Sequence, residues 1–150
     1  MEEDKKEFNY MNDLEINRDE LDKEFMQQPI IYMTYQELLV GKEKEKNNCK
    51  LAIDVLEAGI DKEIRETGEK LSEAKIKNII TADPRRIEKM VEYHDLIEEC
   101  GLLTGAVRSF EQRKKSLEKL TDLYLSGYFS TVKQKNSDDT RIKNKKGENE

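Results

Sequence analysis

The sequence predicts an all-α protein, and three observations lead to that class. The 150 residues include two prolines and seven glycines, too few turn-forming residues for a sandwich, a barrel or a multistranded sheet. Apolar residues recur at helical intervals over long stretches. Charged residues make up 40% of the chain and aromatic residues only 7%. Long helices with a narrow apolar face suit this composition, and the length fits one domain.

The first predicted elements are two helices that meet at a proline. Asp13 can cap a short helix that ends before Pro29, because proline suits the first turn of a following helix. That following helix is predicted over Pro29–Glu66, and Gly68 can end it with a positive φ. A short connecting helix is predicted over residues 72–80, although the alternation of lysine and isoleucine there also fits a strand.

The last predicted element is a long C-terminal helix with a coiled-coil-like seam. Asp83 and Pro84 predict its start, because aspartate caps helices and proline fits the first helical position. From Leu96 onward, residues on one face alternate in steps of four and three over more than four heptads. The helix should end near Gly127. This seam is longer than the short helices can cover, so we expect homo-oligomerisation through Leu96, Leu103, Val107, Phe110, Leu117 and Tyr124.

The two termini and the net charge define the predicted domain organisation. Residues 1–12 and 132–150 have almost no large apolar side chains and are predicted to be disordered, which leaves residues 13–131 as one helical domain. Residues 1–28 hold ten acidic and four basic side chains, so this segment alone accounts for the net charge of −6. The remainder is balanced, and the acidic pI of about 5.1 does not exclude a basic surface elsewhere.

The sequence shows no signature of an enzyme, a metal site or a cofactor site. Phosphate-binding glycine loops and paired metal-ligand motifs are absent, and His94 lies on a stripe with Ile87 that predicts a partly buried structural histidine. There are only two cysteines, and no apolar run is long enough to span a membrane. We therefore expect a cytoplasmic protein that is not an enzyme and uses no cofactor or metal.

Basic residues are concentrated where the chain is predicted to reverse. Exposed cations gathered there would bind phosphates, whereas the alternative is an ordinary solvated surface. A further group (Arg108, Arg113, Lys114, Lys115 and Lys119) could flank an oligomer seam or face phosphates, and the sequence does not choose between these roles. The candidate DNA-binding residues at the reversal are Lys62, Arg65, Lys75, Lys77, Arg85 and Arg86.

Two segments carry a resemblance to a known family. The stretch Lys77-Asn-Ile-Ile-Thr-Ala-Asp83 is followed by a long helix with Tyr93 and then by Leu102-Leu-Thr-Gly-Ala-Val107. This order and spacing resembles the UvsY-type recombination mediators of bacteriophages, over roughly residues 13 to 130. Family members have a basic pair near the end of their long second helix, and Lys62 and Arg65 lie near that position here.

The resemblance implies a function in DNA recombination and repair. It implies a ring-like homo-oligomer that binds single-stranded DNA in the host bacterial cytoplasm. There it would promote loading of a RecA-like recombinase onto DNA coated by single-stranded-DNA-binding protein. The acidic segment from Asp13 to Glu24 is a candidate contact for a basic partner surface. The alternative is a coiled-coil scaffold or assembly adaptor with no nucleic-acid role, which the net negative charge favours.

Overall fold

All regular structure in the described part of the chain is helical. A computed structural model describes residues 10–130, and its helices are α1 (Tyr10–Leu14), α2 (Leu21–Glu66), α3 (Glu73–Ala82) and α4 (Pro84–Leu125). The predicted all-α class, with two long helices and a short helix between them, is confirmed. The segments predicted to be disordered lie outside the described residues, except that residues 10–12 belong to α1. Among the helices of residues 10–130, none contains an apolar stretch that could span a lipid bilayer.

The predicted boundary at Pro29 was wrong, because α2 runs continuously from Leu21 through this proline. Asp13 lies inside α1 and does not cap a helix. Tertiary hydrogen bonds hold the helix at this point: the Gln28 side chain donates to the Phe110 carbonyl at 2.8 Å and accepts from Arg113 at 2.6 Å. These contacts offset the backbone hydrogen bond that proline cannot donate.

The turn between α2 and α3 follows the predicted chemistry. Gly68 has a φ of 78°, a left-handed conformation that glycine adopts without steric strain. After the turn, the Ser72 hydroxyl accepts a hydrogen bond from the Lys75 amide at 3.3 Å and so caps α3. The short connecting segment is therefore a helix, and the strand alternative is ruled out.

The junction between α3 and α4 also confirms the prediction from Asp83 and Pro84. Pro84 is the first residue of α4, and the Asp83 carboxylate accepts a hydrogen bond from the Arg85 amide at 2.8 Å. At the far end, α4 stops at Leu125, and Gly127 turns the chain with a φ of 72°.

The chain divides into two compact units. One comprises Met1–Ile31 with Ser109–Glu150, and the other comprises Tyr32–Arg108. In the described part of the first unit, Phe110 and Leu117 are fully buried. In the second unit, Lys42 pairs with Glu99 and Arg86 pairs with Glu57, so the parts of α2 and α4 within that unit run antiparallel. Its core consists of Tyr35, Leu39, Cys49, Ile53, Ile60, Ile76, Cys100, Leu103, Ala106 and Val107.

The predicted seam of α4 is a buried face of the chain itself. Leu103, Val107, Phe110 and Leu117 are each at most 7% exposed within their own units. The premise that one chain cannot cover this seam was wrong, because α2 is 46 residues long and supplies a matching buried face. Of the other residues assigned to oligomerisation, Leu96 is half-buried and Tyr124 is 42% exposed.

Candidate nucleic-acid interface

The six predicted DNA-binding residues lie in the same compact unit, near the reversal between α2 and α4. The turn after Gly68 brings α3 back beside the end of α2, as shown by the contact of Arg65 with Glu73 at 2.9 Å. Arg85, at the start of α4, reaches Glu63 of α2 at 2.9 Å. The sequence therefore predicted that these residues lie at the chain reversal, but it did not predict their carboxylate partners.

Arg65 and Arg85 each bind two carboxylates. The Arg65 guanidinium donates to Asp61 at 2.8 Å as well as to Glu73. These hydrogen bonds raise its pKa above the usual range, with the bond to Asp61 as the larger cause. A phosphate would have to displace two anions that this guanidinium already binds.

The pairing at Arg85 also changes the acidity of its partners. Arg85 binds Asp83 and Glu63, each at 2.9 Å, and these hydrogen bonds raise its own pKa, with Asp83 as the larger cause. In return, the side-chain hydrogen bonds from Arg85 lower the pKa of Asp83 and the pKa of Glu63. The start of α4 is thus a local network in which two carboxylates share one arginine, with a net negative charge.

The other two paired candidates, Arg86 and Lys62, are held to different degrees. Arg86 is half-buried and donates to Glu57 at 2.6 Å. Lys62 is largely exposed, and its amine lies 3.7 Å from Glu66, a distance at which solvent screens the pair strongly. Lys62 therefore remains accessible to a ligand, whereas Arg86 is held by its partner.

Lys75 and Lys77 are the two predicted DNA-binding residues whose charges are not neutralised by a carboxylate in the described range. Both side chains are exposed on α3, and neither forms an ion pair with any residue in the described range 10–130. Lys70, in the turn before α3, is also exposed and forms no ion pair with any residue in the described range. We call Lys70, Lys75 and Lys77 the α3 lysine cluster. Its three ammonium groups can bind phosphates without first leaving a protein partner.

A cavity of about 220 Å³ beside this cluster does not suit an anion. Its charged lining consists of Lys77 and Arg86 against the three carboxylates Glu57, Asp61 and Glu73. The lining has a net negative charge, so a phosphate inside the cavity would be repelled. Phosphate contacts are therefore expected on the outer surface of α3.

The cations of α4 have two distinct roles that the sequence did not separate. Arg108, Lys114 and Lys115 are exposed and form no ion pair within residues 10–130. Arg113, by contrast, is only 5% exposed and binds the N-terminal part of its own unit. The burial of Arg113 could have been predicted from helical spacing, because positions 110, 113 and 117 lie on the same face of α4 as the buried seam.

The Arg113 guanidinium anchors the acidic N-terminal segment. It donates to the Glu15 carbonyl at 2.9 Å, to the Gln28 side chain at 2.6 Å and to the Glu24 carboxylate. The Tyr124 hydroxyl donates to the Arg18 carbonyl at 3.0 Å. Part of the acidic segment proposed as a partner contact is therefore bound within the fold.

His94 differs from its predicted environment. The side chain is exposed, and neighbouring Ile87 on the same stripe is 50% exposed. The stripe faces away from the buried face of α4, so the expectation of a partly buried histidine was wrong. The ring of Tyr93 lies 6.3 Å from the imidazole, measured between ring centres.

Comparisons of this chain with models of known protein families, with curated proteins and with solved structures find no match.

Proposed function

We propose that the protein binds single-stranded DNA without sequence preference and acts as a recombination mediator. In this role it would promote loading of a RecA-like recombinase onto DNA coated by single-stranded-DNA-binding protein, as the resemblance to the UvsY-type mediators implies. The observation that carries the DNA-binding part is the α3 lysine cluster, whose side chains are exposed and unpaired within the described residues. Such cations gain binding energy by releasing the counterions of phosphates.

Three lysines on one copy would bind DNA weakly, so the proposal includes self-association. Several copies joined in one assembly would present repeated lysine clusters to the same strand and raise the effective affinity. Exposed apolar side chains on the helices support such contacts, among them Val40, Leu51, Val55 and Val91, each more than half exposed. The assembly interface would then involve these outer surfaces and leave the buried seam intact.

Fluorescence anisotropy with a labelled, unstructured oligonucleotide tests the DNA-binding part. The wild-type chain should bind, and the Lys75→Gln/Lys77→Gln variant should bind more weakly. The slope of log affinity against log salt should also become shallower by about 0.7 for each phosphate that the variant no longer binds. The matched control is Lys23→Gln/Lys89→Gln, which removes the same charge from lysines that form ion pairs elsewhere. An equal decrease of affinity in both variants would show that only net charge matters.

The scaffold alternative is favoured by a specific observation. Four of the six predicted DNA-binding residues, namely Lys62, Arg65, Arg85 and Arg86, are in ion pairs. The pairs of the three arginines with Glu73, Glu63 and Glu57 connect different helices, as a scaffold with no nucleic-acid role would require. Absence of oligonucleotide binding at about 50 mM salt, where phosphate contacts are strongest, would favour the scaffold over the mediator.

A further inference from the structure

Helices α2 and α4 each carry an exposed apolar face within the unit Tyr32–Arg108. Both faces lie roughly opposite the residues that form the core of this unit, such as Ile53 on α2 and Leu103 on α4. With a rotation of about 100° per residue, four residues of each helix fall within an arc of about 60°. We call these arcs the outer faces: that of α2 comprises Val40, Lys44, Leu51 and Val55, and that of α4 comprises Ile87, Val91, Glu98 and Leu102. The six apolar members are each between 50% and 65% exposed.

The two outer faces have the same spacing, with steps of four, seven and four residues along each helix. We propose that α2 of one copy packs antiparallel on α4 of the next copy through these faces. All four levels then match at once, because every apolar residue faces an apolar residue and the lysine faces the glutamate. The pairs are Val40 with Leu102, Lys44 with Glu98, Leu51 with Val91, and Val55 with Ile87.

The two charged residues determine the direction of the helices. Lys44 and Glu98 are exposed, and neither forms an ion pair within residues 10–130. A parallel arrangement at the same four levels would place Lys44 against Val91 and Glu98 against Leu51. Each charge would then lose water without gaining a partner, which is unfavourable. Charge complementarity therefore selects the antiparallel contact.

The register of this contact equals the register of α2 and α4 within one chain. Inside the unit, Lys42 pairs with Glu99 and Glu57 pairs with Arg86, so the numbers of paired residues add up to 141 and 143. The numbers in every pair of the proposed contact add up to 142, so the next copy is not displaced along the helices. A head-to-tail contact that repeats by rotation alone can close into a ring, whereas a displaced one continues as a filament. The register therefore favours a ring.

Each contact is small, so closure of the ring is what stabilises the assembly. The four levels span about 24 Å, and a strip about 12 Å wide buries roughly 600 Å² over both copies, less than a stable dimer needs. A closed ring gives every copy two such contacts. It also places every α3 lysine cluster at the same level, because the cluster belongs to the same unit. The ring thus deepens the self-association part of the proposed function, although the contact itself does not depend on DNA.

Sedimentation velocity of the full chain over a range of micromolar concentrations tests the ring. The wild type should pass from monomer to one closed species larger than a dimer. Lys44→Glu and Glu98→Lys should each raise the concentration of half-assembly at least about tenfold, because each places like charges in every contact. The double variant Lys44→Glu/Glu98→Lys should return it to within about threefold of wild type, because the pair is restored with its charges exchanged.

The matched controls are Lys115→Glu and Glu69→Lys, which make the same charge changes at exposed positions outside both faces and should leave assembly unchanged. Far-UV circular dichroism should show wild-type helix content in every variant, since all substituted side chains are exposed. A wild type that stays monomeric or stops at a dimer would overturn the ring, and so would a double variant that does not reassemble. Oligonucleotide binding is measured separately on the same variants. Assembly without DNA binding would support the ring and refute only the proposed function, whereas DNA binding by a monomeric wild type would overturn only the ring.

Discussion

Removal of the Arg113 side chain should strongly destabilise the unit formed by the two ends of the described chain. Its guanidinium is almost fully buried and binds Glu24, the Gln28 side chain and the Glu15 carbonyl. Arg113→Met keeps much of the side-chain volume but removes the charge and every hydrogen bond. The carboxylate of Glu24, whose side chain is only 13% exposed, then remains without its cation.

The expected magnitude follows from the burial of both partners. Breaking a buried ion pair by removing one member costs about 3–5 kcal/mol, because the remaining charge stays poorly solvated. For a protein of this length, that destabilisation lowers Tm by about 10 °C. Adding Glu24→Gln to Arg113→Met should recover about 1–2 kcal/mol, because the uncompensated charge is removed while an oxygen remains to accept from the Asn17 amide.

Urea unfolding followed by far-UV circular dichroism measures these free energies. Lys114→Met is the matched control, because this exposed neighbour has no ion pair within residues 10–130 and should change the free energy of unfolding by less than about 0.5 kcal/mol. The reasoning is refuted if Arg113→Met costs less than about 1 kcal/mol. It is also refuted if Glu24→Gln further destabilises the Arg113→Met variant.

Three further predictions concern the interior of α2, the cap of α3 and the start of α4. Pro29→Ala should raise the free energy of unfolding by about 1–3 kcal/mol in urea, because it restores a helical hydrogen bond inside α2; unchanged or lower stability would contradict this. Ser72→Ala should lower it by about 1 kcal/mol because the α3 cap is removed, and Ser72→Asp should preserve it. The lowered pKa values of Asp83 and Glu63 stabilise the fold above their unfolded pKa, near 4, and this contribution disappears as pH falls through the folded values. Arg85→Gln should therefore flatten the decline of stability between about pH 5 and pH 3, and an unchanged acid profile would show that the network adds nothing.

The fold was largely predictable because its signals are local. Asp83, Pro84 and Gly68 impose their conformations through their own backbone and side-chain chemistry, whatever the rest of the chain does. The seam of α4 was predictable from its regular spacing. Pro29 was misplaced because the hydrogen bonds between Gln28 and α4, more than 80 residues away in sequence, support the helix at this point. Local rules carry no information on such contacts.

The candidate site was predictable only in outline. Basic residues could be assigned to the chain reversal from the sequence, but the pairing of Arg85 with Glu63 depends on how α4 returns beside α2. That geometry distinguishes the paired arginines from the free Lys75 and Lys77. The buried role of Arg113 was missed for a related reason, since long arginines are usually exposed and its partners lie at the other end of the chain.

Recombinase loading tests the proposed mediator function most directly. The rate of filament formation by the cognate RecA-like recombinase would be measured on single-stranded DNA coated with single-stranded-DNA-binding protein, with and without this protein. We predict faster filament formation with the wild-type chain, a weaker effect with Lys75→Gln/Lys77→Gln, and the wild-type rate with Lys23→Gln/Lys89→Gln. Filament formation that is no faster when the protein is present would contradict the mediator function, even if the protein binds DNA.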